Sequence, residues 1–183
     1  MKKHVKVLSL MLLSVFILGI VGCGGDTNSP KGTVEKFVDS VKKLDTEALK
    51  TTVTKTEELG DLNNVSADEK ETLTLMFSAL EASDLTEKID GETAEVTGKI
   101  TTLDFDQVFS LLLDALADAD VENEAEMEKK FAEEMKKIVA DKNTPKITKN
   151  VSFKLKKVDN KWLIDTEATD MDEVLAAFMP GMM

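Results

Sequence analysis

An α+β domain with about four antiparallel strands is predicted by three observations. Two stretches alternate apolar and polar residues around turn residues, one at Asp90-Gly91 and one at Asp159-Asn160. That is the signature of half-buried hairpin strands. Before, between and after them, apolar residues recur at helical spacing. Ahead of all of these, an uncharged apolar run leads to the only cysteine, Cys23. The first residues therefore read as an address, and the residues after Cys23 as the folded domain.

Lys2, Lys3 and Lys6 give a basic start, and Val7 to Val21 carry no charge. This apolar run is shorter than the roughly 20 residues of a membrane-spanning helix. A basic head, a short apolar middle and a small-residue exit describe a secretory signal. The exit, Ile20-Val21-Gly22-Cys23, resembles the lipobox of bacterial lipoproteins. The resemblance implies that the Cys23 thiol receives a diacylglyceryl group and that residues 1–22 are removed. Two acyl chains suit a stable anchor, since each buried methylene contributes only about 0.8 kcal/mol. The competing readings are a plain signal peptide with an incidental cysteine, or a buried structural thiol. With one cysteine in the chain no intramolecular disulfide forms.

Of the 183 residues, 161 follow Gly22, which is the length of one domain. They hold 20 lysines against 35 acids, because Lys2, Lys3 and Lys6 precede them. So acidic a surface argues against nucleic acid as a partner. It argues equally against docking on anionic lipid head groups. Arginine and tyrosine are missing, and the sole histidine, His4, lies in the signal. That excludes Ser-His-Asp or Cys-His catalysis, a histidine metal site and an arginine clamp from residues 24–183. No cofactor is expected. Any enzyme here would work with Ser, Thr, Lys, Asp or Glu alone.

Residues 23–31 are expected to be the lipidated cysteine and a flexible tether, followed by a single domain over 32–183. Ser29-Pro30 suits a helix entry. Val34, Phe37, Val38, Val41 and Leu44 place a helix over 31–44. Asp45 or Thr46 is expected to cap a short second helix carrying Leu49 and Val53. A loop is expected over 55–65. Ser66 and Glu69 form a capping box for a helix with Leu73, Met76, Phe77 and Leu80 on one face.

The sheet should begin near Leu85. Asp90-Gly91 is expected to form the central pair of a type I′ turn. Ala94, Val96, Gly98 and Ile100 then alternate with polar residues. Asp104 should cap a helix bearing Val108, Phe109, Leu112, Leu113 and Leu116. A second helix over about 122–140 carries the stripe Met127, Phe131, Met135, Ile138 and Val139. Glu126/Lys130 and Glu133/Lys137 are spaced as supporting ion pairs. Past Pro145, Val151, Phe153 and Leu155 alternate with polar residues, Asp159-Asn160 turns the chain, and Lys161 to Asp165 returns. Residues 170–179 should form a closing amphipathic helix.

Three constellations bear on chemistry. Asp118 to Glu124 alternate carboxylates as a calcium loop does. However, Asn123 stands where that loop needs Gly, and Lys129 where it needs its closing Glu. This run is expected to be a solvated turn. Asp104 and Asp106 suit helix capping better than acid/base work. Trp162 is expected in the core, with the wall of an open pocket as the other reading; Phe153 and Val96 would share that wall. The tail Met179-Pro180-Gly181-Met182-Met183 is apolar enough to dock in the fold or on a partner.

The opening helix "Val-Glu-Lys-Phe-Val-Asp-Ser-Val-Lys-Lys-Leu-Asp" (Val34 to Asp45) and the late "Val-Ser-Phe-Lys-Leu-Lys-Lys-Val-Asp-Asn-Lys-Trp-Leu-Ile" (Val151 to Ile164) come after the lipobox. This order is similar to lipoproteins of Gram-positive bacteria with a nuclear-transport-factor-like or cystatin-like domain. The resemblance covers the two ends; the helical insertion 105–140 departs from it. It implies helices on a curved antiparallel sheet, a cone with room for a pocket. It brings no catalytic residue, since enzymes on this fold usually use His, Asp or Tyr in the cone, and His and Tyr are missing here. The expected function is that of a non-catalytic module held at the outer face of the cell membrane by the diacylglyceryl group on Cys23. Its partner would be an envelope protein or a small ligand. The alternatives are a carboxylate-based enzyme on the cone and a structural envelope spacer.

Overall fold

The computed structural model describes residues 28–56, 67–117 and 123–181. The expected signal, Cys23, most of the expected loop, Ser66 of the capping box, the run from Asp118 to Glu122, and Met182-Met183 lie outside the described residues. The described chain is α+β, with helices packed on a four-stranded antiparallel sheet in which the strands are arranged in chain order.

Helix α1 runs Pro30–Lys43. The expected entry at Ser29-Pro30 is thus observed, and the helix takes in the last two residues of the stretch 23–31. Ser29 caps it by accepting from the Gly32 N–H at 3.0 Å, and Pro at the first position gives up an amide that has no helical partner anyway. Leu44 ends it in the left-handed conformation, φ 52°. The Asp45 N–H reaches back to the Ser40 carbonyl, satisfying a terminal acceptor. Helix α2 is short, Thr46–Lys50, and Asp45 is its cap. Val53, expected in that helix, instead forms a parallel bridge to Ile164. Helix α3 spans Ala67–Phe77. Leu80, expected on its face, lies beyond its end yet is buried.

Strand β1 is Glu81–Asp90 and β2 is Thr93–Leu103. Their turn differs from the expected one. Asp90 pairs with Thr93, so Gly91 and Glu92 are the central residues. Gly91 alone has positive φ, at 59°. That is the pattern of a II′ turn, which asks for Gly at its first central position. The type I′ signature falls in the other hairpin, where Asp159 and Asn160 both have positive φ, 48° and 63°. There β3, Lys146–Val158, turns into β4, Lys161–Ile164.

Between the hairpins stand α4, Phe105–Leu116, and α5, Glu124–Ala140. Asp104 and Asn123 cap them, and α6, Met171–Phe178, is capped by Asp170. The expected stripe of α5 is only partly inside, with Met135 buried, Phe131 half-buried and Met127 exposed. Lys129 and Lys137 pair with Glu133 and Glu134.

Two cores result. The main core fills the space between the sheet and helices α1 and α6. There Phe37 meets Phe153 edge-on at 5.9 Å and Phe178 at 5.9 Å. The second core gathers Leu103 at the end of β2 with Val108 and Leu112 of α4, Met135 of α5 and Met76 of α3. Met179 of the tail packs against both, and Gly181 lies against the Asp106 carboxylate.

Candidate functional site

Alternation along β2 and β3 divides the sheet into two faces. Ala94, Val96 and Ile100 on β2, and Val151, Phe153 and Leu155 on β3, point into the main core. The other face carries Glu95, Thr97, Lys99 and Thr101 on β2, and Asn150, Ser152, Lys154 and Lys156 on β3. These are exposed or half-buried. Polar β-branched residues and lysines keep such a face strand-like and wet.

Trp162, Phe153 and Val96 belong to the first face. Phe153 and Val96 are cross-strand partners and fully buried, and Trp162 retains 6% exposure. All three lie in one cluster beneath α1 and α6. The Trp162 carbonyl accepts from the Thr33 hydroxyl of α1 at 3.0 Å, and the Lys157 ammonium lies 5.8 Å from the Trp162 ring centre.

A depression of about 390 Å³ is lined by residues of β1, β2 and β3 together with Glu173 of α6. It crosses the sheet along the paired residues Gly98 and Val151, and Asp84, Lys99, Asn150, Ser152 and Glu173 supply its polar groups. A β-bulge shapes it. Ser83 pairs with Lys99 and Thr86 with Thr97, so Asp84 and Leu85 together face Gly98. Asp84 takes the left-handed conformation, φ 53°, which Asp tolerates better than most residues. The bulge turns the Asp84 carboxylate toward Lys99, whose ammonium donates to it at 2.8 Å.

Ionic and hydroxyl pairs organise the rest of this face. Glu95 accepts from the Ser152 hydroxyl at 2.9 Å and from the Lys154 ammonium. Lys156 pairs with Asp165 at 3.0 Å. Thr86 and Thr97 share a hydroxyl contact at 3.0 Å, Thr101 and Thr148 one at 2.9 Å. The hydrogen bond and charge of Lys99 hold the Asp84 carboxyl below its ordinary pKa, and Asp84 in turn raises Lys99. Hydrogen bonds from Lys154 and Ser152 lower Glu95. Both carboxyls are therefore kept ionised, as acceptors. A general acid needs the opposite shift.

The remaining acidic pair has a structural task. Asp104 accepts from the Gln107 N–H at 3.2 Å and from its side-chain amide at 2.7 Å, and Asp106 stands in the first turn of the same helix. Among the described residues no three His, Cys, Asp or Glu side chains converge as a metal site would require. Among them too, no helix is long and apolar enough to cross a membrane.

The sequence reading did not single out Asp84, Lys99, Glu95 or Ser152. The strand alternation placed Lys99, Glu95 and Ser152 on the wet face, but their grouping depends on the register of β1 on β2 across a bulge.

No protein-family model matches the chain, and no curated protein matches it. Among solved structures, the chain is similar to ycdA of Bacillus subtilis, a protein inferred to be a lipoprotein. The TM-score is 0.52 and the identity 14%, over 81% of this chain and 55% of that one. The chain thus spans about half the length of this neighbour. At such identity the likeness is one of fold. A protein of the NTF2-like family from Streptomyces avermitilis, inferred to be a dehydratase, aligns at TM-score 0.33 and 12% identity, over 72% of this chain and 86% of that one.

Proposed function

We propose that this protein is a lipid-anchored module at the outer face of the cell membrane that binds an envelope protein or a small polar ligand without chemical turnover. The observation that carries the anchor is the Ile20-Val21-Gly22-Cys23 exit behind a basic, then apolar, leader. Two acyl chains on Cys23 would hold the domain stably. The binding role is supported by the wet face of the sheet. Its hydroxyls, an amide and paired charges, with Glu173 of α6, line a depression. Such groups orient a polar partner through hydrogen bonds.

Asp84 and Glu95 each accept from a lysine, which suits fixed hydrogen-bond acceptors better than a proton-donating acid. Replacing Cys23 with Ala and fractionating cells tests the anchor. The wild-type protein is expected in the membrane fraction and the variant in the soluble one; equal membrane retention would refute the anchor. Crosslinking the anchored protein in its own cells from position 150 tests the binding face. A discrete adduct is expected there, and its loss with Lys99→Glu.

A further inference from the structure

We propose that the end of the sheet carrying both hairpin tips rests on the phospholipid bilayer. The proposal builds on the anchor at Cys23 and adds the orientation of the domain. Six residues lie between Cys23 and Pro30, where α1 begins. The seven Cα–Cα steps span at most about 25 Å. The start of α1 is therefore held close to the membrane.

That start is tied to the strand that leads to the first tip. The Lys31 N–H donates to the Glu87 carboxylate at 2.9 Å, and Glu87 lies four residues before the turn at Gly91. At about 3.3 Å per residue, the tip extends roughly 13 Å past this attachment. The second hairpin ends alongside, with Lys156 paired to Thr93 and the Lys157 N–H donating to the Glu92 carbonyl at 2.8 Å. The tether and both turns thus converge on one end of the sheet.

The surface of this end suits a lipid interface. Ile89 is 51% exposed and Val158 40%, and aliphatic side chains there gain by entering the acyl boundary. Residues 87–92 and 157–161 with Lys31 carry four lysines and four acids. The chain beyond Gly22 carries 20 lysines against 35 acids. The tips are therefore locally neutral, free of the repulsion that an anionic bilayer exerts on an acidic surface.

The test uses the full lipidated chain, purified from membranes and placed in vesicles of phosphatidylglycerol and phosphatidylethanolamine that contain a nickel-chelating lipid. Lipid on Cys23 consumes the native thiol, so a spin label at Glu92→Cys, Lys161→Cys, Leu113→Cys or Asn143→Cys is unique. Asn143 lies at the opposite end of the sheet, and Leu113 is an exposed apolar residue of α4. Labels at 92 and 161 should be relaxed by the nickel at least threefold more than those at 113 and 143. Adding Ile89→Asp and Val158→Asp should reduce that difference by half or more. A flat profile, or a stronger effect at 113 or 143, in protein that floats with the vesicles overturns the orientation alone. Protein that does not float at all overturns the anchor and the orientation with it.

Discussion

Leu85 occupies the space that a side chain at Gly98 would need. A Cβ built on Gly98 would sit 2.5 Å from the Leu85 Cδ2 and 3.0 Å from the Ser83 carbonyl oxygen. The bulge at Asp84 makes this possible, because it sets two residues of β1 against one of β2 and brings the Leu85 backbone close as well. The glycine is required here for close approach rather than for its φ. Gly98→Ala should therefore destabilise the domain by about 1–3 kcal/mol, as overpacking does. Urea denaturation of the soluble domain measures this. Pairing it with Leu85→Ala should cost less than the sum of the two single changes, since the residues are in contact.

Phe37 should be the most costly aromatic to truncate. It touches Phe153 of the sheet and Phe178 of α6 at 5.9 Å each, so it joins both helices of the main core to β3. Phe37→Ala should lower stability by about 3–5 kcal/mol. The same unfolding measurement checks this, and a loss below about 1 kcal/mol would contradict the packing described.

Thr102 points the other way. Its side chain is fully buried, and its hydroxyl is the one described buried side-chain polar atom without a hydrogen-bond partner. An unpaired buried hydroxyl costs about 1–3 kcal/mol of desolvation. Thr102→Val, of nearly equal shape, should leave stability unchanged or raise it by about 1 kcal/mol. A clear loss would reveal a partner for this hydroxyl.

Much of the fold is written in local pattern, and the exceptions have identifiable causes. The alternation from Ala94 to Ile100 and from Val151 to Leu155 marks both long strands and the face each buries. Ser29, Asp45, Asp104, Asn123 and Asp170 mark five helix starts, because short polar side chains satisfy orphan amides only there. Val53 and Leu80 are apolar at helical spacing, yet both leave the helix. Their burial is decided by the partner each meets, for Val53 the edge residue Ile164. The first hairpin turn shifted by one residue, since Asp90-Gly91 and Gly91-Glu92 both satisfy a two-residue loop and only pairing with β2 selects between them. The depression was illegible for a related reason. Asp84 reaches Lys99 through a bulge that neither strand's alternation announces.

Acid should weaken the wet face in a defined direction. The pKa values of Asp84 and Glu95 are lowered in the folded state by their lysines. Groups of this kind stabilise the fold above their unfolded pKa, about 4, and that contribution is lost as pH falls through the lower folded value. Glu95→Gln should therefore flatten the fall in stability below about pH 4 and cost little in acid, where wild-type Glu95 is itself protonated. Denaturation midpoints from pH 7 to pH 2.5 check the sign. A steeper acid loss in the variant would contradict it.

In the proposed anchor, Cys23 carries the lipid which holds this domain at the membrane. Mass spectrometry of the protein purified from membranes, after tryptic digestion, tests it most directly. The expected product is an N-terminal peptide beginning at Cys23 and ending at Lys31, heavier than its sequence by a diacylglyceryl group. A peptide that runs through Gly22 into an unmodified Cys23, in protein recovered from the membrane fraction, would contradict it.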